Sequence, residues 1–132
     1  MTTTPTYDPE IPPNAEDWLA LDEQERISLA ERFHLREKID LASVKAHAAF
    51  HAIVENQIAL GLGPVVRAVP RLIKQGLSRH GAIHAVASVL TGQLYEQANA
   101  KSQDSAEVVQ ARYEAEVERL NAKEWRAKYG AQ

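Results

Sequence analysis

The chain has 132 residues, a formal net charge of −3 and a pI near 5.9. This length suits a single domain with one core. The near-neutral charge excludes a general nucleic-acid binder, which needs clustered Lys and Arg to neutralise phosphates. The sequence has no cysteine, which excludes disulfides, thiolate metal sites and cysteine nucleophiles. Any bound metal must therefore be held by nitrogen and oxygen atoms.

No apolar stretch approaches the roughly 18 residues of a membrane span, and no signal peptide is visible. We therefore predict a cytoplasmic protein with no membrane partner. Residues 1–13 contain four Pro and are predicted to form an extended arm, either packed on the body or disordered. Residues 14–132 are predicted to form one helical domain, since their apolar residues have the period of helices and almost never alternate strictly with polar ones.

The first helices are indicated by their caps and their glycines. Asn14 is predicted to cap a short helix, and Asp22, with Glu25 three residues later, to begin a second one. A third helix should span about residues 41–60 and end at Gly61.

In the middle of the chain, Pro and Gly residues indicate where helices begin and end. Pro64 suits the first position of the next helix, Pro70 should kink or shorten that helix, and Gly76 should end it. Ser78 is predicted to cap a helix over about residues 79–98.

The last predicted helix begins at Asp104 and runs to about Lys128. It is highly charged and has a thin apolar stripe, formed by Val109, Tyr113, Val117 and Leu120. Such a helix often packs on a partner or along a bundle, and a homodimer through it is one of these two predictions. The fold class is therefore all-α: a single bundle-like domain of about four main helices plus a short N-terminal helix and the arm.

Two pairs of histidines carry the main functional signal. His47 and His51 are four residues apart, Glu55 follows four later, and His80 and His84 repeat the spacing. Residues four apart on a helix lie about 5–6 Å apart at Cβ, so two imidazoles can bind one ion, as in the HExxH helix of zinc proteases. We therefore predict all five residues as metal ligands, with Glu55 alternatively a partner of a ligand or a general base.

The surroundings of both pairs favour an inward orientation. Each pair falls on the apolar side of its helix among Ala and Gly residues, which allow helices to approach closely. If the two helices lie side by side, the pairs should meet in a parallel arrangement. The alternative is that these histidines are hydrogen-bonded core residues, since a buried imidazole without a partner is costly.

Three lesser candidates are given structural interpretations. Glu31 and His34 have the ExxH spacing of carboxylate-bridged di-iron bundles, but only one copy occurs, and His34 is predicted as a surface or half-buried residue. Arg79 is predicted to be solvated in the first turn of its helix. Trp125 and Tyr129 are predicted to pack against the body.

Two resemblances follow from these motifs. The segments HAAFHAIVENQIALG and GLSRHGAIHAVASVL, within residues 18–95, resemble a group of small bacterial proteins with paired HxxxH helices and no assigned activity, which implies a shared site. His51 with Glu55, and His80 with His84, resemble the HxxxE and HxxxH elements of hemerythrin-like bundles. That family's last helix supplies a further His and a carboxylate, and no His follows His84 here. This resemblance therefore implies a mononuclear or incomplete metal site.

Three functions remain open from the sequence. The first is a metal-binding helical protein that holds Zn or Fe, or else Ni or Mn, with or without metal-dependent catalysis. The second is a metal-free acid–base enzyme that uses a buried His beside Glu55. The third is a non-enzymatic interaction protein whose histidines are structural.

Overall fold

The computed structural model describes residues 6–36, 44–100 and 104–129, and within them the protein is helical without strands. This confirms the all-α prediction. The helices are α1 (Ala15–Ala20), α2 (Glu23–Arg36), α3 (Val44–Ala59), α4 (Gly63–Lys74), α5 (Arg79–Asn99), α6 (Ala106–Arg119) and α7 (Ala122–Tyr129).

Most helix ends lie where short-range chemistry predicts them. Asn14, Asp22 and Ser78 each accept a hydrogen bond from a backbone N–H in the first turn, at 3.0, 2.8 and 2.9 Å. Gly61 and Gly76 follow α3 and α4 with φ values of 77° and 107°, a conformation that favours glycine.

The central helices allow one prediction to be tested and leave another outside the structure. The beginning predicted for the third helix, at about residue 41, lies outside the described residues. Pro70 neither ends nor divides α4, which continues to Lys74, and the exposed ring of Pro70 leaves the buried face of this helix intact.

The last predicted helix is divided in two, so the prediction of a continuous helix to Lys128 was wrong. Leu120 has an extended backbone after α6, and the Asn121 side chain then accepts the Glu124 N–H at 2.9 Å to begin α7. Arg71 holds the break by donating to the carbonyl oxygens of Val117 and Leu120, at 2.9 and 3.0 Å.

The beginning of α6 also differs slightly from the prediction. Its cap is Ser105, which accepts the Val108 N–H at 3.2 Å, whereas Asp104 was predicted for this role. Asp104 instead pairs with Arg112 at 2.9 Å.

The apolar stripe of α6 is used within the chain. Tyr113 and Val117 are buried, and α6 packs on α4 and α5. Val108 is 46 % exposed on this helix. The homodimer through the C-terminal helix stays a prediction.

Two apolar clusters form the core. The larger cluster joins parts of α3 to α7 and includes Val65, Leu72, Ile83, Val86, Val117 and Trp125. The smaller cluster joins the arm, α1, α2 and α3, and includes Tyr7, Trp18, Leu29, Phe33, Ala48 and Ala52. Because α3 contributes to both clusters, it is the central helix of the domain.

Among the helices of the described residues, none combines the length and the apolar character that a membrane crossing needs.

The contacts of Arg71 predict its contribution to stability. Replacing it by Met should lower the free energy of unfolding by about 1–3 kcal/mol, because two carbonyl groups at the α6–α7 break lose a charged donor. The control is Arg112→Met, which removes only the half-exposed ion pair with Asp104 and should cost less than about 1 kcal/mol. Urea denaturation measures both values, and equal losses would contradict the assigned role of Arg71.

Candidate metal centre

Five histidines from three helices form one compact cluster. They are His34, His47, His51, His80 and His84, called the histidine cluster below. One ring nitrogen of each lies within 4.8 Å of the corresponding nitrogen of every other one. The two predicted HxxxH pairs thus come together, and His34, predicted as a half-buried or surface residue, joins them.

The arrangement of α3 and α5 brings the pairs together in a way that the sequence did not predict. His47 lies against His84, with ring centroids 4.6 Å apart, and His51 lies between His80 and His84, at 5.0 and 4.9 Å. One turn further along α3, Glu55 contacts Arg79 at the beginning of α5. As the residue number rises along α3, that of its partner on α5 falls. The helices are therefore antiparallel at the site, and the parallel arrangement expected from the sequence was wrong.

His34 enters the cluster from the last turn of α2. Its side chain is fully buried, and its Nδ1 lies 2.7 Å from the Ala30 carbonyl oxygen. Because a carbonyl oxygen only accepts, Nδ1 carries the proton, and the lone pair is on Nε2. The signal that could have identified His34 is its spacing of four residues from Ala30, an apolar residue that is buried on the same face of α2.

His51 is oriented by Tyr7 and Glu55. The Tyr7 hydroxyl donates its proton to Glu55 Oε2 at 2.6 Å and lies 3.2 Å from His51 Nδ1. Since its single proton is given to the carboxylate, the phenol oxygen accepts from His51 Nδ1–H. The lone pair of His51 is therefore also on Nε2.

Glu55 lies beside the histidine cluster and is paired with an arginine. Arg79 donates to both Glu55 carboxylate oxygens at 2.8 Å, and both side chains are buried. The prediction of a solvated Arg79 was wrong, because its charge is neutralised by Glu55 in the interior. Both carboxylate oxygens of Glu55, which was predicted as a metal ligand or a general base, are therefore already bonded to Arg79.

The N-terminal arm closes this side of the site. Arg79 also donates to the Pro9 carbonyl oxygen at 2.9 Å, and the Glu10 carboxylate accepts the His80 backbone N–H at 3.1 Å. Together with Tyr7, these contacts hold residues 7–10 of the predicted arm against α3 and α5.

The ring nitrogens inside the cluster are poorly satisfied by protein groups. Nε2 of His34, His51 and His80 is buried and has no hydrogen-bond partner among the described residues. His47 Nε2 and His84 Nε2 lie 2.9 Å apart, so in the metal-free protein one must donate to the other. Leaving a buried polar group without a partner costs about 1–3 kcal/mol, so these three nitrogens need a partner, which a bound ion or a water molecule can supply.

The nitrogens of the histidine cluster lie close enough together to share one metal ion. With metal–nitrogen bonds of about 2.1 Å, neighbouring donors around a six-coordinate ion are about 3.0 Å apart and opposite donors about 4.2 Å. The His47–His84 separation of 2.9 Å matches that of neighbouring donors, and all five nitrogens lie within 4.8 Å of one another. Five donors at this spacing exceed the four of a tetrahedral site.

Burial keeps the imidazoles neutral. It is the main cause that lowers the pKa of His34 and His51 below the ordinary value of 6.5. Burial, followed by the proximity of other rings in the cluster, lowers the pKa of both His47 and His80 to about 4. Neutral imidazole is the form that binds metals, so protons compete little for these nitrogens at neutral pH.

Comparison of the chain with family models, curated proteins and solved structures gave no match. The function must therefore be argued from the chemistry of the site.

The lowered pKa values predict acid sensitivity of the metal-free protein. Between pH 6.5 and about 4 the unfolded chain protonates His47 and His80 while the folded chain does not. Because the unfolded state then binds more protons, the free energy of unfolding should fall as the pH is lowered through this window, and be fully retained above it. Urea denaturation of chelator-treated protein at pH 7.5, 6.0 and 5.0 measures this effect.

The matched control for this prediction is the double variant His47→Gln/His80→Gln. It removes two of the titrating rings and should show a flatter dependence on pH over the same range. An equally steep dependence in the double variant would assign the acid sensitivity to other groups.

Proposed function

We propose that this protein binds one divalent transition-metal ion per chain at the histidine cluster. The observation that supports this most strongly is the set of three buried Nε2 atoms without hydrogen-bond partners among the described residues, all within a group of five imidazoles. A hydrogen-bonded structural core would place donors opposite these lone pairs. In His34 and His51 the hydrogen bond of Nδ1 places the proton on that nitrogen, so the lone pair is on Nε2.

The donor set favours particular metals. Five imidazole nitrogens with no thiolate suit Fe, Ni, Cu or Zn, whereas Mn prefers carboxylate and water oxygens. Structural zinc sites are almost always tetrahedral with four ligands. The number of donors therefore favours an ion that accepts five or six ligands, and we propose Fe(II) before Zn(II).

Glu55 is proposed as a positioning residue for this centre. Histidines that bind metals commonly donate their other N–H to a partner that fixes the ring and increases its basicity. Tyr7 supplies that partner to His51, and Glu55 holds the Tyr7 hydroxyl in the accepting orientation. Arg79 in turn fixes Glu55. This chain of contacts supports the role of Glu55 as a partner of a ligand over its roles as a ligand or a general base.

The arrangement suits a reactive or ligand-binding centre better than a purely structural one. A six-coordinate ion held by five imidazoles keeps one position for an added ligand, and an open position distinguishes catalytic from closed structural sites. The hemerythrin-like resemblance is compatible with this proposal in the form of a mononuclear site.

Metal content tests the proposal directly. Protein purified without a His tag and loaded with Fe(II) under anaerobic conditions should contain about one metal ion per chain. His51→Ala and His34→Ala should each lower the affinity at least about tenfold, because each removes a pre-oriented donor. Elemental analysis after dialysis against a weak chelator measures this loss.

The control is Lys45→Ala, which changes an exposed residue on the same helix as His51 and should keep full metal content. Because the sequence has five histidines and all belong to the cluster, any metal–imidazole signal in X-ray absorption must come from this site. Wild-type protein that binds none of Fe(II), Ni(II), Co(II) or Zn(II) would refute the proposal.

The Tyr7 hydroxyl provides an independent prediction. Tyr7→Phe should lower metal affinity about 10–100-fold, because His51 loses the group that fixes its tautomer. Competition with a chromophoric chelator measures the affinity, and imidazole ¹⁵N NMR of the metal-free protein reports the tautomer. Tyr95→Phe, at a residue that is 71 % exposed, is the matched control. Unchanged affinity and tautomer in Tyr7→Phe would remove the positioning role.

A further inference from the structure

A cleft leads from the surface to the histidine cluster. It has a volume of about 300 Å³, and His47 and His84 line it. These two side chains are partly accessible, whereas His34 and His51 are fully buried. The cleft thus connects solvent to the His47–His84 side of the cluster, and the arm covers the opposite side through its contacts with Arg79 and the His80 backbone.

The walls of the cleft are largely aromatic and aliphatic. Phe50 from α3 and Trp125 and Tyr129 from α7 contribute rings, and the Trp125 and Tyr129 ring centroids are 5.8 Å apart. Ligand pockets are typically about 300–1,000 Å³ and mostly apolar. The volume of this cleft therefore suits a molecule with one ring or a group of similar size.

The cleft has few polar side chains, and those it has are already hydrogen-bonded within the protein. Ser88 donates to the Ala85 carbonyl oxygen at 2.6 Å and accepts from Trp125 Nε1 at 3.1 Å. Thr91 donates its hydroxyl proton to the Ala87 carbonyl oxygen at 2.9 Å and can only accept from a ligand. The cleft offers apolar contact and very little hydrogen bonding, so the polar end of a ligand must be recognised elsewhere.

The charge of the metal centre supplies that recognition. Imidazole binds a metal in its neutral form, so the five donors of the cluster bring no negative charge, and the nearby Glu55 carboxylate is neutralised by Arg79. A divalent ion bound there keeps its full charge in a partly buried site, where an uncompensated charge is costly. An anionic donor in the open position lowers that cost.

We propose that the cleft is the binding site for small organic anions that carry one aromatic or similarly sized apolar group, whose anionic oxygen binds the metal. This inference rests on the proposed function, because the metal supplies the anion-binding position. Phe50, Trp125 and Tyr129 select the apolar group, and Thr91 lies at the exposed rim of the cleft.

Spectroscopy of the Co(II)-loaded protein tests this proposal with three probes. Azide, acetate and benzoate are titrated against the visible absorption of Co(II), which responds to a change of ligand. Benzoate should bind about tenfold more tightly than acetate, because the two share a carboxylate and only benzoate buries a ring in the cleft. Azide should bind to the metal alone, because it has no apolar group to contact the walls of the cleft.

Variants of the cleft separate its role from that of the metal. Thr91→Trp should narrow the rim of the cleft so that a ring no longer fits while azide still enters, and Tyr129→Ala should remove one wall. Each should weaken benzoate binding about tenfold while leaving cobalt content and azide binding unchanged. Tyr95→Ala is the matched control, because this exposed tyrosine on α5 is not among the residues that line the cleft, and it should change none of the three affinities.

The outcomes distinguish the two proposals. Failure of the wild-type protein to bind cobalt or any other divalent metal would refute the proposed function, and this inference with it. Bound cobalt that does not respond to azide would show a closed coordination shell and overturn the cleft proposal alone. Equal affinities for benzoate and acetate, or benzoate binding insensitive to both cleft variants, would overturn it as well.

Discussion

The buried ion pair between Glu55 and Arg79 is the interaction on which the rest of the site depends. The two residues are 2 % and 8 % exposed, so neither charge can be satisfied by water. Removing one partner of such a pair typically costs about 3–5 kcal/mol, because the other charge is left uncompensated. The pair also needs further hydrogen bonds, and the arm provides them through the Tyr7 hydroxyl and the Pro9 carbonyl. A segment without helical structure is thereby held in one position by charge.

The same pair determines the chemistry of the histidine cluster. Because Arg79 neutralises Glu55, no net negative charge from this carboxylate acts on the imidazoles. Burial lowers the pKa of His47, His51 and His80, and the Glu55 carboxylate does not raise it again. The pKa of the Tyr7 phenol is raised well above 10, first by burial and then by Glu55, so Tyr7 keeps its proton. It donates that proton to Glu55, and its oxygen accepts from His51 Nδ1–H. The buried charge pair thus acts through Tyr7 to fix the tautomer of His51.

The sequence predicts the parts of the structure that depend on short-range chemistry. Helix caps at Asn14, Asp22 and Ser78 follow from a side chain and the backbone two or three residues away. The HxxxH pairs follow from helix periodicity alone. Asn121 is a preferred N-cap residue, but a single Asn does not by itself end a helix. The break was missed because it also depends on Arg71 binding the carbonyl groups that the break exposes.

The site itself depends on contacts between distant segments, which periodicity does not reveal. His34 carries a weak local signal, and its place in the cluster follows only from the packing of α2 on α3. Arg79 looks like a first-turn surface residue, and its burial requires Glu55, 24 positions earlier. The antiparallel approach of α3 and α5 likewise depends on how these helices pack together.

The position of the histidine cluster explains why this small protein can place five imidazoles in its interior. His34, His47 and His51 are flanked along the chain by Ala30, Phe33, Ala48 and Ala52 of the smaller apolar cluster, whereas His80 and His84 are flanked by Ala82, Ile83 and Ala85 of the larger one. The imidazoles therefore occupy the junction of two cores. An ion bound there would connect α2, α3 and α5 where apolar contacts between the cores are interrupted, so metal binding and the joining of the two halves of the domain would be coupled.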